Sequence, residues 1–494
     1  MSMRIGGLAS GIDTDSIIKD LMNAERIPLD KMSQDKTKLE WQRDAFRDIN
    51  KKLLELDNMF LDMKMSSTYN SKTVSSTMES AVTAQGSASS SNGTYNINVE
   101  SLATSAINVS SSEIDGLDPD TSLSEQGITG PIKFTTYDDK GDPQDFSYDL
   151  QPGDTLKDVI SAINTADNNV RMTYDENTKK VLMETTRTGK YNTEGTNEIE
   201  FDEASGFFAA IKMTQVNENG GTNAKFTYNN NYTVESKDNN YTLNGITFQF
   251  NNTTGGQNAT LTVNNDADAS FDKIMAFVDK YNQVVEELNG SQQEERYRDY
   301  PPLTDAQKAD MSEDEIKLWE EKAKSGLLKG ESAISSGLFD MRQSWYSTVD
   351  TSSSGGAFSS LTEIGITTSS DYLDGGKLIV SEEKLKAALQ DDPESVQKLF
   401  SNSSTGTDRG LVNKLEDAVE STMNRINQRA GKGTDTLENY TLGKRMKDLD
   451  SRIDAFEDRL VQIEDRYWRQ FGAMEEAISM MNQQSSMLMS NFAQ

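Results

Sequence analysis

Apolar residues recur at helical spacing toward both ends of the chain and at alternating spacing in its middle. Near the start, "DTDS" at 13–16 offers a cap and an acidic first turn suited to the positive end of a helix dipole. Ile17, Ile18, Leu21 and Met22 form a narrow apolar stripe behind it. Pro28 is predicted to end that helix or to open the next. From 29 to 65 the row strengthens. Phe46, Ile49, Leu53, Leu56, Phe60 and Met63 keep a three–four spacing, which Met32 and Leu39 extend backwards. Such a row is either a coiled-coil seam or the buried face of an ordinary helix packed on its own domain. A second seam runs through Leu449, Ile453, Phe456, Leu460, Ile463 and Tyr467 and, after one slip, through Phe471, Met474, Ile478 and Met481. The last dozen residues are expected to fade into weak helix or disorder.

At about residue 66 the composition turns Ser/Thr-rich and the period drops to two. In "TYNINVE", Tyr95, Ile97 and Val99 share one face, and Asn96, Asn98 and Glu100 the other. More strands are predicted at 132–137, 170–174 and 181–185. The sharpest local signal is "YTLNGITFQF": Asn244-Gly245 suits a type I′ turn, which sets Leu243 opposite Ile246 and Tyr241 opposite Phe248. "GDTLKDVISAIN" reads as a helix capped by Asp154, carrying Leu156, Val159, Ile160 and Ile163. Helix returns at 271–289 with Phe271, Ile274, Val278, Tyr281, Val285 and Leu288. Residues 290–410 mix helices such as "TDAQKADMSEDEIKLWEEKAKSG", "SEEKLKAALQ" and "DPESVQKLF" with short strands such as "GKLIV".

The fold class expected is α+β and multidomain. Terminal coiled-coil helices form a leg or stalk, a mixed helical domain follows, and β-rich head domains are inserted between the helical halves. The expected boundaries are 1–35 with 445–494 for the leg, 36–77 with 269–444 for the mixed stalk domain, and 78–268 for a head of two small domains. A domain insertion leaves its two ends close together, so helices on either side can pair.

Composition narrows the function classes. The 494 residues, by length enough for roughly 2–4 domains, carry 49 Lys and Arg against 80 Asp and Glu, a net charge of −31. That balance speaks against nucleic acid and anionic membrane as partners. His and Cys are both absent, which removes zinc sites, thiol nucleophiles, imidazole acid–base pairs and disulfides. No run approaches the ~18 apolar residues of a membrane span. The opening "MRIGGLASG" is too short and Gly-rich for a cleaved signal peptide.

Candidate chemistry is thin. Gly6 and Gly11 share the outer spacing of a P-loop, but Ile12 and Asp13 stand where Lys and Ser/Thr are needed. Asp138, Asp139, Asp142, Asp145 and Asp149 could flank a glycosidase cleft or hold calcium. Their other reading is a solvated acidic loop, and the spacing of an EF-hand is missing. Trp319, Trp345 and Tyr346 suit core or subunit contacts better than a sugar platform. Met474, Met480, Met481, Met487 and Met489 suit either a seam core or a surface that accepts several partners. No cofactor and no metal is expected.

"GLASGIDTDSIIKDLMNAERIPLDKM" at 7–32 resembles the start of the flagellar filament cap, or hook-associated protein 2, family. "DADASFDKIMAFVDKYNQVVEELN", "PPLTDAQKADMSEDEIKLWEEKAKSGLL" and "FEDRLVQIEDRYWRQFGAMEEAISMMNQQSSML" are similar to its C-terminal half, in the right order. "GDTLKDVISAIN" resembles a segment shared among flagellar axial proteins. The resemblance covers roughly 1–105 and 240–490 and leaves the variable middle unmatched. It implies export through the flagellar type III channel without a cleaved signal peptide, and an extracellular place at the filament tip. It also implies a ring-shaped homo-oligomer, usually a pentamer though other numbers occur. The legs of that ring reach into the filament, and its heads cover a space where flagellin folds and inserts. A flagellar export chaperone holds the C-terminal helices before secretion, and in some members the head binds host mucin or surfaces.

On this reading Leu8, Ile12, Ile17, Ile18, Leu21 and Met22 dock on the filament. Phe46, Ile49, Leu53, Leu56 and Phe60 form the coiled-coil seam with Ile453, Phe456, Leu460 and Ile463. Phe471, Met474, Ile478, Met481, Met487 and Leu488 meet the chaperone or another partner. The Gly-rich entry and narrow stripe are expected to order only when docked, because short isolated helices are unstable in water. Rival readings are another axial protein such as a hook–filament junction protein, a glycoside hydrolase in the head, and an adhesin acting through 78–268.

Overall fold

The computed structural model describes residue 11 and residues 13–492. They fall into two compact units: Asn70–Ser270, and the segments that precede and follow it. The predicted leg and stalk segments lie together in the second of these. Leu8 and Ile12 fall outside the described residues.

The helical unit begins with one helix, Thr14–Asp57, capped by Asp13, whose carboxylate accepts from the Ser16 amide at 3.0 Å. Pro28 neither ends nor opens it; it sits inside the helix. The reason is its position. Pro28 and Ala24, whose carbonyl loses its amide donor, are both exposed, so the unpaired carbonyl is not cut off from solvent. Leu29, the next residue, is buried. The helix does stop at Asn58, and Phe60–Lys64 resumes as a short separate turn.

Phe46, Ile49, Leu53, Leu56, Phe60 and Met63 are all buried. Their partners are helices of the same unit: Ala267–Gln293, Ser332–Tyr346, Pro393–Ser401 and Leu411–Ala430. Rings knit these together, with Phe60–Phe277 at 5.7 Å, Tyr281–Trp345 at 5.5 Å and Tyr69–Phe400 at 5.5 Å between centroids. Close approach of Ser332–Tyr346 to Leu411–Ala430 depends on Gly337, where a Cβ would lie 2.5 Å from the Thr422 side chain. Arg47 closes the end of Leu411–Ala430 by donating to the carbonyls of Ala430 and Lys432 at 3.2 and 2.9 Å, a cation at the negative end of a helix dipole. The stretch read as one helix from Thr304 is two, Asp305–Ala309 and Glu313–Lys324. Thr304 and Ser312 each open one with a capping box. The last helix, Thr441–Phe492, continues through the residues expected to fade.

Asn70–Ser270 holds two hydrophobic cores. In the first, a five-stranded antiparallel sheet runs in the order Lys72–Ser76, Ala259–Asn265, Gly93–Ser101, Ala224–Tyr228, Tyr232–Ser236. A three-stranded sheet, Asn240–Leu243, Ile246–Phe250 and Val82–Gly86, joins it around Ile97, Val99, Phe226, Ile246, Phe248 and Leu261. Asn244 and Gly245 both take positive φ, 52° and 78°, and Leu243 faces Ile246 while Tyr241 faces Phe248. The second core gathers Ile132, Phe134, Leu156, Val159, Ile163, Val181 and Phe208 from two three-stranded sheets, the helix Leu156–Thr165 and the short helix Gly206–Ala210. That helix is capped by Thr155 in a capping box with Asp158, not by Asp154. Asp154 is already engaged, accepting from the Tyr148 hydroxyl and the Gln151 amide, both at 2.8 Å.

A carboxylate lies next to this second core. Glu218 accepts from the Glu198 and Ile199 amides at 2.5 and 3.1 Å. Burial nevertheless pushes it up to about 7, with Glu198 and Glu200 adding repulsion against those two donors. The folded state therefore holds a proton that the unfolded chain has released between the ordinary value of 4.5 and about 7. This contribution to stability is complete below the lower figure and is lost as pH rises through the upper one. Urea unfolding of the β-rich unit should show it about 1–2 kcal/mol more stable at pH 5 than at pH 8, after discounting for partial exposure. Glu218→Gln should flatten that difference; an unchanged pH profile in the variant would assign it elsewhere.

Candidate functional site

The first half of Thr14–Asp57 and the middle of Thr441–Phe492 lie side by side and antiparallel. Two polar contacts fix the register: Lys36 pairs with Asp450 at 2.5 Å, and the Tyr467 hydroxyl donates to Glu25 at 2.9 Å. The Asp450 carboxylate holds the Lys36 amine above its usual value. Along the pair, Ile18, Leu29, Leu460 and Ile463 are buried, while Leu21, Met22, Ile453 and Phe456 are half-buried and Ile17 is exposed. The seam residues expected to pair thus serve two places. Phe46 to Phe60 enter the core of the helical unit, whereas Ile453 to Ile463 run along the start of the first helix. Leu29 was missed, although it follows Ile18 by eleven residues, close to three whole helical turns.

Beyond the paired region the last helix becomes bare. Phe471, Met474 and Ile478 are half-buried, and Met481, Met487, Leu488 and Met489 are 62, 67, 58 and 73 % exposed. An exposed thioether row on a helix end is an adaptable apolar surface.

The alternatives based on chemistry find no geometry. Asp138 accepts from the amides of Asp142 and Lys140, which hold its carboxyl below the usual range. Asp139 pairs with Arg187 at 2.7 Å, and Asp145 accepts from the Thr135 hydroxyl at 2.7 Å. These are the ties of a turn and a sheet. Among the described residues no group of three or more acidic side chains could hold a metal ion, and no helix is long and apolar enough to cross a membrane. Trp345 is core, and Trp319 donates to the Pro301 carbonyl at 2.7 Å.

Paired terminal helices, an inserted β-rich unit and an exposed apolar helix end set the architecture of the chain. Residues 10–106 match the N-terminal part and residues 221–483 the C-terminal part of flagellar hook-associated protein 2. The chain belongs to the flagellar hook-associated protein 2 family. It is 41 % identical to the flagellar hook-associated protein 2 of Halalkalibacterium halodurans, over 99 % of this chain and 100 % of that one. It is 25 % identical to the A-type flagellar hook-associated protein 2 of Pseudomonas aeruginosa, over 98 % and 96 %. Its fold is similar to the D1-D2-D3 domains of the Escherichia coli flagellar cap protein FliD, with a TM-score of 0.56 and 18 % identity over 82 % of this chain and 99 % of that one. The stretch between the two family matches includes most of the second head core, from Ile114 to Met213.

Proposed function

We propose that this protein caps the growing end of a flagellar filament, holding arriving flagellin until it folds and inserts. Its relationship along the whole chain to flagellar hook-associated protein 2 carries the reading. The paired terminal helices and the apolar end of the last helix give it a physical means. A ring of copies, most simply a pentamer, places those helices against the filament, with exposed Ile17 and half-buried Leu21 and Met22 on the docking side, while Ile18 is buried within the chain. Folding of flagellin would draw on the burial of flagellin's own apolar surface, so the cap needs no reactive group.

The same helix end, from Phe471 to Leu488, is the surface a flagellar export chaperone would cover before type III secretion. Capture of host mucin or another surface ligand would fall to the head.

In a deletion strain, flagellin should appear in the medium as monomer and filaments should be lost, with both restored by the intact gene. Normal filaments in the deletion strain would refute the reading.

A further inference from the structure

A cleft of about 690 Å³ opens in the helical unit, and its charge runs against that of the chain. Lys38, Arg296, Lys329, Lys444, Arg445 and Arg452 line it, against Asp35, Glu331 and Asp448. All three acids already have partners: Asp35 has Lys31 at 3.8 Å, Glu331 has Arg429 at 3.4 Å, and Asp448 has Arg452 at 3.9 Å. Lys38, Arg296, Lys329, Lys444 and Arg445 form no ion pair among the described residues. In a chain with 80 carboxylates to 49 cations, five unpaired cations around one cleft need a reason. Lys38 adds a second observation. It is half-buried and faces Arg296, and burial together with that neighbour pushes its amine below the usual value. An anion in the cleft would relieve both penalties.

We infer that the cleft receives a carboxylate-rich surface of a second copy of this chain. The inference rests on the ring assembly proposed above and gives it a contact. A second copy can supply the anion, because its surplus is acidic. Two copies of net charge −31 repel at long range, so a cationic cleft facing a carboxylate patch is where that repulsion can be offset. If the patch lies on another face of the molecule than the cleft, the contact is heterologous, the kind that closes rings.

Sedimentation of the full chain between 0.05 and 1 M salt tests this, with Lys38→Gln/Arg296→Gln/Lys444→Gln as the variant and its melting curve as a folding control. At 0.05 M salt the folded variant should associate at least about tenfold more weakly than wild type, and the gap between the two should narrow as salt rises. In a mixture of isotopically light and heavy chains, carbodiimide should join Lys38, Lys329 or Lys444 of one copy to Asp or Glu of another. Assembly of equal strength in the variant, without those inter-chain links, overturns the inference and leaves the ring standing. A wild type that stays monomeric throughout overturns both. A monomer that binds tripolyphosphate in the cleft makes it a small-anion site and removes the second copy from it.

Discussion

Trp345→Ala should destabilise the helical unit by about 3–5 kcal/mol and leave the unfolding of Asn70–Ser270 where it was. The indole is buried at the meeting point of several helices. It stands edge-on to Tyr281 at 5.5 Å and 90°, and to Phe277 and Phe400 at 6.3 and 6.5 Å. Truncation removes three aromatic contacts worth about 0.5–1.5 kcal/mol apiece beyond their area. It also leaves a void that helices anchored on several sides cannot close. Selectivity follows from the division of the chain, since the β-rich unit owns two cores of its own. The readout is built in: Trp41, Trp319, Trp345 and Trp468 all lie outside 70–270, so tryptophan fluorescence reports the helical unit alone. Amide signals from the sheets of Asn70–Ser270 follow the other. Phe248→Ala, at a fully buried site of the first head core, should give the converse pattern. If either substitution moves both transitions together, the two units are one cooperative body and the proposed insertion of an independent head fails.

How far the sequence could be read depended on how local the deciding interactions are. The Asn244-Gly245 hairpin was legible to the residue because four neighbouring side chains and one turn determine it. The five-stranded sheet that shares a core with it was not. Lys72–Ser76 pairs with Ala259–Asn265, so the two edges of the inserted segment meet side by side, and no short-range pattern encodes that partner. Pro28 shows the opposite failure. A sound local rule for helix breaking was overridden because the buried Leu29 beside it and the pairing with the last helix hold both arms in line. At the helix Leu156–Thr165, Asp154 and Thr155 are both competent caps, and only the claim of Tyr148 on Asp154 decides between them. The heptad rows told correctly which residues would be buried at 46–63, but a row has no label for its partner. Whether it met the last helix or the body of its own unit was settled by where the chain turned at Asn58 and Gly431. The cationic cleft was hidden for the same reason, its lining being drawn from segments near 38, 296, 329 and 445.

Leu460→Glu should disconnect the terminal helices and abolish capping while the rest of the chain stays folded. Leu460 and Ile463 are buried on a helix whose other faces are wet, and the register set by Lys36–Asp450 and Tyr467–Glu25 places the buried Leu29 opposite them. A carboxylate placed there is either desolvated or forces the helices apart, at a cost of about 2–4 kcal/mol. The polar ties cannot compensate: Lys36–Asp450 and Tyr467–Glu25 are partly exposed, and such contacts contribute about 1 kcal/mol or less each. A helix freed from its partner keeps only marginal intrinsic stability. Amide exchange over 14–30 and 455–478 should therefore accelerate at least tenfold, whereas the sheets of Asn70–Ser270 and the core around Trp345 keep their protection. In cells, the variant should shed flagellin into the medium as the deletion does, and Leu460→Met, which preserves volume and polarity, should restore filaments. The pair of variants separates assembly from folding. Filaments that grow normally on Leu460→Glu chains, with exchange in the terminal helices demonstrably raised, would show that the cap does not depend on the helical pair and would move its working surface elsewhere in the molecule.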